Sequence, residues 1–485
     1  MEINCISMSV NDIISKIDDV VWGWGLIILI LAAGIILTVR TGLVQVFHLG
    51  KALKFMVKNE EDGEGEVTSF GALCTALSAT IGTGNIVGVA TAICLGGRGA
   101  LFWMLVAAFL GMATKYAEGF LAIKYRENKD GHFLGGPFYY IEKGMGPRWK
   151  WLAKLFALFG ALAGVLGIGT ITQVNGIASA VNGFFDPNAQ HIAFSIGENS
   201  YTWATVIGGA VVTAFTALVV IGGIKRISKV SEIVVPFMAI TYIVFVLIIV
   251  FTHITQIPAA VVSIVKGAFN PSAVAGAVTG VTLKIAMQKG IGRGIFSNEA
   301  GLGSAPIAAA AAKTKDTVRQ GLVTMTGTFI DTIVICTLTG LSIILTNSDL
   351  KYVEGSVEGV NITSLAWESG LPWNPRISSF ILMLCLTFFA FTTILGWDYY
   401  SEKCMEYLTG SQKAVKIFKV IYIIAVFVGP YLTVSAVWNI ADIFNGLMAF
   451  PNLIALFALS SIVGKETKKY FAEKNHDLKE LSKTK

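Results

Sequence analysis

The chain predicts an all-α polytopic membrane protein of about eleven transmembrane helices, and three observations lead there. Apolar residues fall in runs of roughly 20 or more, the length that crosses a bilayer core. Only 14% of the 485 residues are charged and 54% are hydrophobic, against about 25% charged in an average soluble domain. Lys and Arg outside the apolar runs fall almost wholly in alternate loops. A chain this long would ordinarily be read as about three domains. Without polar linkers, low-complexity stretches or a second zone of composition, it reads as one transmembrane domain over residues 1–485.

The expected spans are 20–39, 69–95, 99–123, 150–183, 203–222, 231–251, 257–285, 317–346, 376–401, 414–430 and 439–463. The loops 40–68, 124–148, 223–230, 284–316 and 402–413 and the tail 465–485 carry 26 of the 37 Lys/Arg, and the opposite side carries Lys16, Arg98 and Lys351. Positive charge marks the cytoplasmic side. The expectation is therefore a multi-pass protein of the plasma membrane with its N-terminus outside and a cytoplasmic C-terminus. Trp22, Trp24, Trp149, Trp151 and Trp203 stand near span ends, as in an interfacial aromatic belt.

Composition excludes several classes. The net charge of +6 comes from short loops between apolar runs, so it marks no nucleic-acid partner. Cys5, Cys74, Cys94, Cys336, Cys385 and Cys404 are scattered, with no CxxC or Cys/His cluster, so neither a disulfide framework nor a zinc site is expected. Glu2, Asp12, Asp18 and Asp19 precede the first apolar run, the wrong polarity for a cleaved signal peptide. There is no HExxH, no GxSxG and no intramembrane His/carboxylate cluster, since His48, His132, His191, His253 and His476 lie mostly in loops. No catalytic residue and no cofactor follow. A channel is the other rival class, but channels usually assemble several copies of one filter.

Two spans cannot be continuous helices. The second carries Gly82-Thr83-Gly84-Asn85 at its centre, and glycine costs roughly 1 kcal/mol per residue in a helix. The seventh carries Gly267-Ala268-Phe269-Asn270-Pro271 at its midpoint, where proline removes a backbone donor. Non-helical backbone at membrane depth survives only beside protein or a watery cavity, and paired interruptions point to a transporter's binding site. The two spans open matching sets of five, 2–6 and 7–11, so the halves (69–251 and 257–463) are expected to insert with opposite topology. Residues 20–39 then form an extra peripheral helix and 464–485 a cytoplasmic tail. Simple kinks or small-residue packing would place Gly and Pro similarly. Gly82-x-Gly84 is no dinucleotide fingerprint, because no βαβ unit surrounds it.

Three blocks carry a resemblance. They are Gly82-Thr83-Gly84-Asn85 with Gly96 to Met112 and Ala113-Thr114-Lys115-Tyr116-Ala117-Glu118; Gly135-Gly136-Pro137-Phe138-Tyr139-Tyr140-Ile141-Glu142-Lys143-Gly144; and Ser297-Asn298-Glu299-Ala300-Gly301-Leu302-Gly303-Ser304-Ala305-Pro306. Together they resemble the sodium:alanine/glycine symporter family over nearly the whole chain. Arg98 and Leu105 depart from it, where proline and tryptophan are usual. The resemblance implies the five-plus-five inverted-repeat fold of sodium-coupled amino-acid transporters, and alanine, glycine or a similarly small neutral amino acid as substrate.

A zwitterion needs one electropositive and one electronegative end. Helix N-termini attract carboxylates, which assigns the carboxylate to the backbone amides of Gly82, Thr83, Gly84 and Asn85. The ammonium goes to the carbonyls of Thr80, Phe269 and Asn270, with Ile81 beside them. Phe269 is either a lid over the substrate methyl or a lipid-facing aromatic. Gln173 either reaches the substrate or bonds helix to helix, and Trp397 either walls the pocket or serves the interface. For sodium, the coupling ion, the implied fold pairs the hydroxyls of Thr392 and Thr393 with the carbonyls of Ser78 and Ile81; the alternative is back-bonding within the helix. No other metal is expected. Lys266 and Asp331 could pair in one state of the cycle, Lys115 and Glu118 read as a plain i,i+3 pair, and 290–312 as a cytoplasmic helix. Stoichiometry, stereoselectivity and oligomeric state carry no signal.

Overall fold

The computed structural model describes residues 10–483 apart from 59, 61–62, 130, 198, 271–281, 352–358 and 433, without the side chains of 10–12, 434–438 and 475–483. The chain enters with an amphipathic helix α1 (Val10–Val21) and α2 (Trp24–Arg40). The second span is α3 (Ser69–Thr80), a π turn over Gly84–Gly88 and α4 (Val89–Gly96), bent by 54° at the join. Thr68 caps α3 by accepting from the Gly71 N–H at 2.9 Å, which satisfies one orphan donor. Then come α5 (Gly99–Lys124), α6 (Lys150–Leu166), α7 (Ile171–Phe185), α8 (Trp203–Val220) and α9 (Gly223–Thr252).

The later part contains α10 (Ile257–Phe269), α11 (Leu283–Asn298), α12 (Ala305–Ala309) and α13 (Thr317–Thr328). A π segment, Phe329–Cys336, leads into α14 (Thr337–Leu345). Helices α15 (Gly359–Gly370), α16 (Pro375–Thr409), α17 (Gln412–Val428) and α18 (Val434–Lys483) complete the chain. Among the described residues nine helices are long and apolar enough to cross a membrane, or ten with the bent pair counted as one span. The only named strands there form two short hairpins, Glu127–Leu134 and Ile192–Thr202.

Burial separates scaffold from surface. Only 28% of the apolar window in α8 and 33% of that in α9 is buried, against 67% in α5 and 72% in the α6–α7 span. Lipid tails are as apolar as leucine, so close approach of small residues has to hold the centre together. A Cβ at Gly119 of α5 would lie 2.3 Å from Thr324 Oγ1, and one at Gly396 of α16 would lie 2.7 Å from the Ala79 nitrogen. The second contact seats α16 backbone-to-backbone on the first broken helix.

Several expectations are corrected. The run 257–285 is not one span broken at its midpoint: α10 ends at Phe269, a separate helix starts at Leu283, and Pro271 lies outside the described residues. The span 150–183 is itself interrupted between Leu166 and Ile171. The last span continues as helix through the tail to Lys483. Trp151 and Trp203 are exposed, but Trp22 is buried and donates to the Asp442 carbonyl at 2.7 Å.

Candidate functional site

The break in the second span begins at Ile81, whose backbone turns extended (φ −77°, ψ 90°) after α3. The amides that follow lose their helical acceptors and find side chains instead. The Gly82 N–H donates to Asn85 Oδ1 at 2.9 Å, and the Thr83 N–H donates to Gln173 Oε1 at 3.1 Å. Gln173, which is 1% exposed, also donates through Nε2 to the Ile168 carbonyl at 3.0 Å. A Cβ on Gly82 would stand 2.5 Å from Thr393 Oγ1 and 3.0 Å from Gln173 Oε1; one on Gly84 would meet Phe296 and Ser297 at an ordinary 3.4 Å.

Thr393 Oγ1 donates to the Ile81 carbonyl at 3.3 Å and the Phe389 carbonyl at 3.0 Å. Thr392 Oγ1 also reaches the Phe389 carbonyl at 3.0 Å, and it touches Met238 Sδ at 3.5 Å. Two buried hydroxyls and two carbonyls thus converge beside the break. The Phe389 carbonyl has no sequence signature; it emerges only because a helix puts i, i+3 and i+4 on one face. Ser78 and Thr80 are buried, and their hydroxyls back-bond to carbonyls one turn earlier in α3.

The second unwound segment lies at Glu299–Ser304, between α11 and α12. Glu299 (φ 57°), Gly301 (φ 89°) and Gly303 (φ 82°) are left-handed, a conformation that only glycine adopts freely. Its loosened backbone is tied to buried groups. The Gly301 N–H donates to Glu118 Oε1 at 3.1 Å, and Asn452 Nδ2 donates to the Gly301 carbonyl at 2.9 Å and to Glu118 Oε1 at 2.8 Å. Glu299 accepts from Trp397 Nε1 at 2.8 Å and from the Ser304 hydroxyl. Trp397 therefore walls the interior, fully buried, rather than serving the interface.

One carboxylate joins the two breaks. Asp331, in the π segment, accepts from Asn85 Nδ2 at 2.7 Å, from Ser297 Oγ at 2.9 Å and from Thr332 Oγ1 at 2.6 Å. π-bulges recur at functional sites. The expected Lys266–Asp331 pair is absent, because Lys266 is exposed on α10. Phe269 is 58% exposed and packs on Phe102 and Trp103, and Asn270 is exposed too, so neither joins the site. Lys115 and Glu118 form no contact pair. Lys115 Nζ is buried without a hydrogen bond.

A third interruption was missed by sequence reasoning. Between α6 and α7, Gly167-Ile168-Gly169-Thr170 leaves the helix, and a Cβ on Gly169 would lie 2.5 Å from Trp397 Cβ. Its signal was there: Gly-x-Gly next to threonine, as at Gly82, but masked by a longer apolar run.

At the Lys/Arg-rich end, residues 64–67 pair with 311–314, with Val67 bridged to Ala312. Arg126 donates to the carbonyls of Ala310 and Ala312 at 2.8 Å each, Glu64 at 2.8 Å and Thr314 at 2.6 Å. Burial lowers its guanidinium to about 10, so it stays protonated at neutral pH. These bonds close that end of the bundle beneath α12. No group of three or more His, Cys, Asp or Glu able to hold a metal occurs among the described residues.

Residues 7–484 match the sodium:alanine symporter family. The chain is 46% identical over 472 residues to the sodium/alanine symporter AgcS of Methanococcus maripaludis, covering 96% of this chain and 98% of that one. It is 37% identical over 468 residues to the probable sodium/glutamine symporter GlnT of Bacillus subtilis, covering 95% and 91%. The crystal structure of MhsT in complex with L-phenylalanine superposes with a TM-score of 0.55 at 12% identity, covering 83% of this chain and 98% of that one. That likeness concerns the fold, an inverted-repeat transporter bundle.

Proposed function

The chain belongs to the sodium:alanine symporter family and is a secondary transporter of the cell membrane, not an enzyme; from that premise we propose that it couples sodium to uptake of a small neutral amino acid, alanine or glycine, by alternating access. One observation carries the reading. At the first break two consecutive amides, Gly82 and Thr83, are held only by neutral side-chain oxygens of Asn85 and Gln173. Charge-assisted hydrogen bonds are about twice as strong as neutral ones, so a carboxylate displaces both oxygens. Gln173 and Asn85 are then free to turn toward the ligand.

The ammonium goes to carbonyls at helix ends: Thr80 at the end of α3 and, in place of Phe269 and Asn270, Ser297 and Asn298 at the end of α11. A helix C-terminus leaves such carbonyls unpaired and partly negative. Sodium takes the Thr392 and Thr393 hydroxyls with the carbonyls of Ile81, Phe389 and Ser78. Hard oxygens without a carboxylate suit a weakly held monovalent ion. Thr393 lies against Gly82, so ion and substrate occupy adjoining halves of one cradle, which is how one comes to require the other. Relatives carry names for alanine and for glutamine; the lack of room for even a Cβ at Gly82 favours the smaller. Residues 69–251 and 257–463 act as the two halves, with the Arg126 contacts closing the inner side in this state.

Vesicles reconstituted with purified protein test the reading. Labelled alanine accumulates under an inward sodium gradient, saturably, and not under a proton gradient alone; accumulation without sodium contradicts it. The orientation has its own test on a cysteine-free background. An Asn199→Cys variant reacts with an impermeant thiol reagent outside intact cells and a Lys474→Cys variant does not, and the reverse pattern overturns the N-out assignment.

A further inference from the structure

At the Lys/Arg-rich end a short helix, Leu49–Val57, runs between α2 and the first broken span. His48, at its start, stacks on Phe471 with ring centroids 3.6 Å apart, which docks it on the far end of α18. Three cations gather on this contact. Lys51 Nζ stands 5.7 Å over the Phe55 ring, 5.3 Å over Tyr470 and 4.9 Å over Phe471. Lys474 Nζ stands 5.9 Å over Phe55 and 4.6 Å over Tyr470, and the Arg319 guanidinium stands 4.7 Å over Phe55. Ring faces attract cations, but they do not cancel the repulsion among the three.

The charge balance is one-sided. Arg319 faces Glu60 at 3.8 Å, but among the described residues neither Lys51 nor Lys474 has a carboxylate within 4 Å. Nearby carboxylates answer other groups: Asp316 caps α13 through the Arg319 N–H at 3.0 Å, and Glu473 pairs with Lys469 at 3.7 Å. Partial burial, and then the Lys474 ammonium, hold Lys51 below the usual lysine range. Two ammoniums kept this close fit one anionic group between them. The surroundings say which kind. Leu43, Val46 and Phe47 just before the helix, and Val57 at its end, are exposed. Lys54 and Lys58 follow Lys51 at helical spacing and are exposed as well. Apolar side chains beside a basic face mark a helix that lies in a membrane interface. A soluble anion would use the ammoniums alone, whereas a phospholipid uses both chemistries. The Lys/Arg-rich end meets the cytoplasmic leaflet in the proposed orientation, where anionic lipids concentrate.

We propose that Lys51 and Lys474 together hold the phosphate of an anionic phospholipid, which clamps the Leu49–Val57 helix to α18. The clamp adjoins the inner closure. The Lys58 carbonyl accepts from Arg319 and Glu60 accepts from the Thr314 hydroxyl, just before residues 64–67 pair with 311–314. Lipid held here therefore braces the segment that leads into that closure, whichever amino acid is carried.

Native mass spectrometry of the delipidated full chain, titrated with phosphatidylglycerol or phosphatidylcholine, measures the two affinities. The wild type is expected to bind phosphatidylglycerol about 30-fold more tightly, since each lysine adds to the attraction for anionic lipid. Lys51→Gln/Lys474→Gln should bind the two lipids alike, with a melting temperature in phosphatidylcholine near the wild type's. Where that pair melts early, Lys51→Gln alone carries the comparison. Lys51→Arg/Lys474→Arg should keep the preference. So should Lys413→Gln/Lys416→Gln, which removes the same charge from the exposed start of α17. Equal binding of both lipids by the wild type overturns the site, whatever the variants do. A preference that survives in the glutamine variant, or that the Lys413/Lys416 variant loses equally, overturns it too. Displacement of phosphatidylglycerol by equimolar inorganic phosphate would make this a free-anion site and overturn the lipid.

Discussion

The two unwound segments, Gly82–Asn85 and Glu299–Ser304, face each other through Gly84 and Ser297, yet they are held in opposite ways. The first has no positive φ, and its loose amides rest on the neutral side chains of Asn85 and Gln173. The second has three left-handed residues, and buried Glu118, Asn452, Glu299 and Trp397 secure it. Neutral contacts exchange readily for a ligand's charged ones, whereas stripping partners from a network of buried polar groups costs about 1–3 kcal/mol for each group left unsatisfied. The first break is therefore the more yielding of the two, and under the proposed function it is the one that opens to substrate while the second holds its shape beside it.

Substitutions that strike one segment sharpen the contrast. The largest effect is expected at Gly303, where φ is 82° and a Cβ would lie 2.7 Å from Pro137 Cγ and 2.8 Å from Phe156 Cε2. Left-handed strain of about 1–2 kcal/mol adds to overpacking of about 1–3 kcal/mol. Gly303→Ala should lose folded, monodisperse protein in size-exclusion chromatography. A wild-type melting temperature would show that the second segment is not rigid.

Next comes the ion. Thr393→Ala removes a hydroxyl that lies between the Ile81 and Phe389 carbonyls. It should raise the sodium concentration for half-maximal uptake several-fold, with the fold intact. Unchanged sodium dependence would move the ion elsewhere.

How much of this was legible beforehand follows from the same comparison. Gly82-Thr83-Gly84-Asn85 interrupts an apolar run, so hydropathy and glycine together expose it. The second segment sits in Leu283–Asn298 and its sequel, where Lys284, Lys289 and Arg293 dilute the apolar signal below that of a span. The nearby apolar run 257–269, followed by Pro271, carries the stronger local signal of a broken span. The Ser297–Pro306 block stands out by its resemblance, but its place at the break depends on tertiary contacts with Glu118 and Asn452, which no local pattern encodes. Moving the span takes Lys284, Lys289 and Arg293 out of the cytoplasmic tally of 26, and the charge bias survives. The Thr392/Thr393 hydroxyls were legible as a pair; their convergence with the Phe389 carbonyl follows from helix geometry alone.

The smallest effect separates two glycines of one motif. At Gly84 an added Cβ finds ordinary contacts of 3.4 Å with Phe296 and Ser297. Gly84→Ala should keep uptake within about twofold, roughly 0.4 kcal/mol. A total loss would mean that backbone at Gly84, not at Gly82, touches the substrate.

The central claim is that the Gly82 and Thr83 amides receive the amino acid's carboxylate. Gly82→Ala tests it most directly, because its Cβ would stand 2.5 Å from Thr393 Oγ1 and 3.0 Å from Gln173 Oε1, both side-chain ends that can shift without moving the backbone, so the fold is kept. The measurement is sodium-dependent alanine binding to the purified variant in detergent, beside its melting temperature. The account predicts affinity at least about 100-fold weaker, roughly 2.7 kcal/mol, with a melting temperature near the wild type's. Sodium-dependent binding as tight as the wild type's would contradict it.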